Sequence, residues 1–136
     1  MRVRFGVDEE SATIRLELEG IPLSGEFLSF ASAIAEHSGF QHGMHVVIDA
    51  RSLCAYPSDA ELAEFAAIYR MLWLTGAVGC TAIVVQRDGH RAARAFQIYS
   101  GDGDPRLAIF RYPDQATRWL DQVEASAMIP GAVAVG

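Results

Sequence analysis

Two short apolar runs, Val46-Val47-Ile48 and Ala82-Ile83-Val84-Val85, each pass into a polar segment and are each followed by a stretch of helical period. Short runs without polar alternation suit strands covered on both faces, the pattern of a parallel sheet flanked by helices. The chain is therefore expected to place two carboxyl-end connections, Asp49-Ala50-Arg51-Ser52 and Gln86-Arg87-Asp88-Gly89, side by side on one edge. In open α/β sheets that edge is where ligands and partners dock. No catalytic signature in the chain names a reaction.

The flanking segments extend this pattern. Arg2 to Val7 and Thr13 to Leu18 alternate polar and apolar residues around Asp8-Glu9-Glu10-Ser11, which predicts an antiparallel hairpin with one covered face. Ser24 to His37 sets Phe27, Phe30, Ala31 and Ile34 on one helical stripe. Ser58-Asp59-Ala60-Glu61 has capping-box spacing and starts a helix toward Leu74. That helix is apolar almost all round in its second half, which predicts burial by loops or a homodimer seam over Phe65 to Leu74. A third helix from His90 to about Tyr99 ends in Gly101-Asp102-Gly103-Asp104-Pro105, Leu107 to Phe110 make a last strand, and Pro113-Asp114 opens a final helix. The expected organisation is one domain over 1–126 with an apolar tail over 127–136.

Composition narrows the function. A length of 136 residues with 51% hydrophobic content supports one real core. The net charge of -6 opposes general nucleic-acid binding, because the phosphate backbone is repelled before any base is read. All eleven basic residues are arginine, which excludes lysine Schiff-base chemistry and a P-loop lysine. Cys54 and Cys80 lack metal-site or disulfide-framework spacing, and no apolar run is long enough to span a bilayer. These features predict a cytoplasmic chain with no transmembrane segment, no metal and no cofactor.

The succession VVIDARSL, capped helix, TAIVVQRD, RAARAF helix and LAIFRYPDQATRWL resembles the SpoIIAA-like branch of the STAS superfamily, named for sulfate transporters and anti-sigma factor antagonists. The resemblance spans nearly the whole chain. It implies an α/β fold with a mixed sheet of about five strands, an N-terminal antiparallel hairpin, parallel βα units and about four helices. It also implies a non-enzymatic module that binds protein partners, or else carries a small apolar or anionic ligand. The antagonists carry a regulatory serine in a D-S-S-G-like motif. Ser58 is its one positional match here, with Pro57, Asp59 and Ala60 at the other three positions.

Three groups of residues are candidates for function. Asp49, Arg51, Ser52 and Ser58 form the expected partner surface, although an N-cap serine also accounts for Ser58. Arg51, Arg87 and Arg111 each follow a predicted parallel strand and, with His90 and Arg91, could hold an anion; pairing with Asp49, Asp88 and Asp114 is the alternative. Phe27, Phe30, Tyr69, Trp73, Phe96 and Tyr99 could line an apolar pocket between helix and sheet, or simply fill the core. His37, His42 and His45 are spaced too loosely for a zinc site and read as surface or cap residues. Ser52 with Asp49 and a distant histidine lacks the G-x-S-x-G elbow of a hydrolase.

Overall fold

The protein is seen in a computed structural model that describes residues 1–36 and 43–128. Alternating side chains build the first hairpin, β1 (Arg2–Asp8) against β2 (Thr13–Gly20) in antiparallel register. Ile14, Leu16 and Leu18 turn inward and are fully buried, while the polar residues between them face outward. Asp8 Oδ1 accepts the Glu10 amide at 3.1 Å and shapes the turn.

From there the chain repeats one unit. Helix α1 (Glu26–Glu36) leads to β3 (Met44–Leu53), α2 (Asp59–Leu74) to β4 (Val78–Val84), and α3 (His90–Gly101) to β5 (Leu107–Phe110). A single 3-10 turn, Arg87–Gly89, stands before α3, and α4 (Pro113–Met128) closes the described chain. The sheet order is β1-β2-β3-β4-β5, with every pairing after the first parallel. Because successive crossovers advance in one direction with the usual right-handed sense, α1, α2 and α3 fall on the same face. Helix α4 follows the last strand and folds back on the opposite face.

The two faces carry separate cores. Val46, Ile48, Ile83 and Val85 pack under the three helices with Phe27, Phe30, Ile34, Leu62, Phe65, Tyr69 and Phe96. Val47, Ala82 and Val84, the alternate residues of the same strands, pack against Ala116 and Leu120 of α4. Strands buried on both sides read as unbroken apolar runs for this reason.

One expectation needs correcting. Asp49-Ala50-Arg51-Ser52 is not a connection but the end of β3, because β2 continues beside it: Glu17 pairs with Asp49, Glu19 with Ser52 and Gly20 with Leu53 across a register shift. Backbone amides that would be unpaired in a loop find ladder partners there. Helix α2 lies between α1 and α3, with Leu62, Phe65, Ala66, Tyr69 and Trp73 buried, Ile68 and Leu72 half-buried, and Met71 and Leu74 exposed toward its carboxyl end. That end is closed by a Schellman pattern, with the Gly76 amide donating to Trp73 O at 3.0 Å and the Ala77 amide to Leu72 O at 2.8 Å. The expected tail beyond α4 lies, from residue 129 on, outside the described residues.

Candidate functional site

The ends of β3, β4 and β5 bring Arg51, Arg87 and Arg111 to one edge of the sheet, as parallel neighbours must. They are not equivalent. Arg51 forms a two-pronged pair with Asp49, Nε to Oδ1 at 2.9 Å and Nη2 to Oδ2 at 2.7 Å, and its amide donates to the same Oδ1. Burial pushes the Asp49 carboxyl up, but the Arg51 hydrogen bonds outweigh it and leave the group below its ordinary value. Gln86 Nε2 donates to Arg51 O at 3.0 Å and ties the ends of β3 and β4 together.

Arg87, His90 and Arg111 instead line a groove of about 320 Å³ floored by Val85, Ile109 and Phe110. The carboxylates expected to neutralise them are engaged elsewhere: Asp88 meets the Tyr56 hydroxyl and Asp114 meets Arg118 at 3.4 Å. Arg91 is exposed on the first turn of α3 and lies outside the groove lining.

Ser58 and Ser52 are both exposed beside this edge. Ser58 Oγ accepts the Glu61 amide at 3.3 Å, so it serves as the N-cap of α2. Between Leu53 and Ser58, Tyr56 lies on Gly89 so closely that a Cβ at position 89 would stand 2.8 Å from its hydroxyl oxygen. This contact gave no sequence signal, because it joins segments from two different βα units.

Beneath Tyr56 the expected apolar pocket is a cleft of about 50 Å³. Phe27, Phe30 and Phe96 line it, together with Phe65, whose ring stacks on Phe30 at 5.8 Å and tilts against Phe96 at 5.0 Å. The other three aromatics lie elsewhere. Tyr69 is fully buried and its hydroxyl meets Thr81 Oγ1 at 2.7 Å; burial raises its phenol far above the ordinary value. Trp73 donates to Gly79 O at 3.0 Å, and Tyr99 is 45% exposed on the outside of α3.

At the opposite edge His45 is neither a surface nor a cap residue: it is 8% exposed, held by tertiary partners far off in sequence. Nδ1 accepts the Cys80 amide at 3.0 Å, so the ring proton sits on Nε2 and faces Glu124 Oε1 on α4. Gly79 makes room for the ring, since a Cβ there would stand 2.9 Å from Nδ1. Cys80 alongside has its thiol pushed up by burial, which disfavours the reactive thiolate. His37 and His42 lie outside the described residues. Among the described residues no three His, Cys, Asp or Glu side chains gather as a metal site, and no helix is long and apolar enough to cross a membrane.

No protein-family model matches the chain, and no curated protein does. Among solved structures it is similar to an uncharacterized protein of the DUF3478 family with a SpoIIAA-like fold from Shewanella loihica PV-4. The identity is 14%, the match covers 88% of this chain and 92% of that one, and the TM-score is 0.54. Among the described residues the five-stranded mixed sheet and four α-helices thus make a SpoIIAA-like fold, and at this identity the likeness speaks for the fold alone.

Proposed function

We propose that the chain is a cytoplasmic, non-enzymatic STAS-like module that recognises a protein partner at the carboxyl-end edge through Asp49, Arg51, Ser52 and Ser58. The observation that carries this reading is the filled interface between helices and sheet. A cavity of about 50 Å³ falls well below the roughly 300 to 1,000 Å³ of small-molecule pockets, so carriage of an apolar ligand is disfavoured. Surface recognition needs no such space. The edge offers exposed polar groups on a rigid strand end and a helix start, with Arg51 held in place by Asp49 and Ser58 by the Glu61 amide. A held side chain loses less freedom on binding than a loose one.

Ser58 enters this reading as a contact residue. A phosphate there would gain from the helix dipole but would meet Asp59 and Glu61 in the same turn. Calorimetric affinities for a co-purifying partner test the surface with Ser58→Glu and Arg51→Ala. Each is expected to weaken binding about tenfold, the effect of losing one good interface contact. Unchanged affinity in both variants removes this surface.

A further inference from the structure

We infer that the groove between the ends of β4 and β5 binds a small phosphate monoester through Arg87, His90 and Arg111. The site uses residues distinct from the proposed partner surface, so either idea can fail without the other.

The first observation is a charge imbalance that the fold leaves in place. The chain carries a net charge of -6, and Arg4, Arg51, Arg94, Arg106 and Arg118 each hold a carboxylate. Among the described residues Arg2, Arg15, Arg70, Arg87, Arg91 and Arg111 hold none, and of these Arg87 and Arg111 line one groove together, although Asp88 and Asp114 lie one and three positions away in the chain. Asp114 instead meets Arg118, one helical turn on, at 3.4 Å, and the Asp88 charge lies close enough to the Tyr56 hydroxyl to raise its phenol. Two guanidinium groups and an imidazole therefore line one concavity, where a bound anion could accept hydrogen bonds from each of them.

The second observation is the shape of the concavity. Its volume is about 320 Å³, and its floor is apolar at Val85, Ile109 and Phe110. An inorganic ion would leave that floor wet, whereas an ester carrying a small apolar group would cover it. A carboxylate offers two oxygens and is saturated by one guanidinium fork; a phosphate monoester offers three and can meet both forks and the imidazole together. The first turn of α3 brings His90 to the groove and carries no acidic residue, so the helix terminus does not oppose the anion.

Phenyl phosphate is the probe, titrated into the full chain at low ionic strength while backbone amide resonances of residues 87–91 and 111 are followed. Saturable shifts confined to those residues are expected, with binding weakened at least about tenfold in Arg87→Gln and in Arg111→Gln and unchanged in Arg2→Gln. Benzoate is expected to bind more weakly than phenyl phosphate. All three arginines are exposed, and the spectrum of each variant before titration reports its fold. Absence of saturation up to about 10 mM, the range of the weakest specific sites, overturns the inference. Equal loss in Arg2→Gln overturns it as well, because attraction would then be spread over the whole surface.

Discussion

The two faces of the sheet are built on opposite terms. Under α1, α2 and α3 every strand contributes apolar side chains, from Val3 and Phe5 at one edge to Leu107 and Ile109 at the other. Under α4 the apolar layer reaches only β3, β4 and β5, through Val47, Ala82, Val84 and Phe110. Beyond it, on β1 and β2, the same face carries Arg2, Arg4, Arg15, Glu17 and Glu19, with Arg4 and Glu19 paired at 3.2 Å. One helix covers side chains of three strands where three helices cover all five. The difference shows that the run of residues along a strand records how many of its faces are covered: alternation in β2, continuity in β3 and β4.

The largest effect that separates the faces is expected in their centres. Phe65→Ala should cost about 4 kcal/mol in urea unfolding, because four aromatic rings lose contact with it. Leu120→Ala should cost about 2 kcal/mol, since the smaller cluster under α4 lies close to water and can relax. Equal costs would break the comparison.

A smaller effect is expected where α4 is tied to the sheet. Glu124→Ala leaves the His45 Nε2 proton without its carboxylate, which should cost about 1 kcal/mol. Hydrogen exchange should quicken in α4 and stay unchanged in α2. Uniform quickening would mean that α4 opens only with the whole domain.

The smallest effect belongs to the open, charged half. The Asp49 carboxyl stays below its ordinary value because its Arg51 hydrogen bonds exceed the opposing effect of burial. A lowered carboxyl stabilises the fold above the unfolded value, near about pH 4, and that stability is lost as pH falls through the folded value. Arg51 is 39% exposed at the side chain, so solvent screening limits the contribution to about 1 kcal/mol or less. Asp49→Asn should therefore flatten the acid limb of the stability profile below about pH 4, and leave the plateau near neutrality slightly lower. An unaltered acid limb would place the acid sensitivity in other carboxylates, with Asp104 beside Arg106 the next to test.

Local patterns that depend on neighbours in the chain were legible before any tertiary contact was known. The hairpin, the capped start of α2 at Ser58, the Leu107–Phe110 strand and the convergence of Arg51, Arg87 and Arg111 on one edge all follow from periodicity and strand direction. The end of β3 was misread because Asp49-Ala50-Arg51-Ser52 has the composition of a loop, and only the continuation of β2 beside it supplies the ladder. Tyr69, Trp73 and Phe96 on α2 and α3 point inward while Tyr99 does not, and periodicity carries no measure of how tightly rings fill a space. Three of the six aromatics surround the cleft and three do not.

What the sequence by itself determined is the order of the elements and the face each presents, because hydrophobic period and caps act over one turn or one strand. What the tertiary structure alone decided is which charges meet. His45 finds Glu124 across 79 positions, Asp49 claims Arg51, Asp88 turns to Tyr56, and Arg87 and Arg111 are left facing a shared groove. Electrostatic partnership falls off within a few ångströms and takes no account of separation along the chain, so it is settled only when the strands and helices have come to rest against one another.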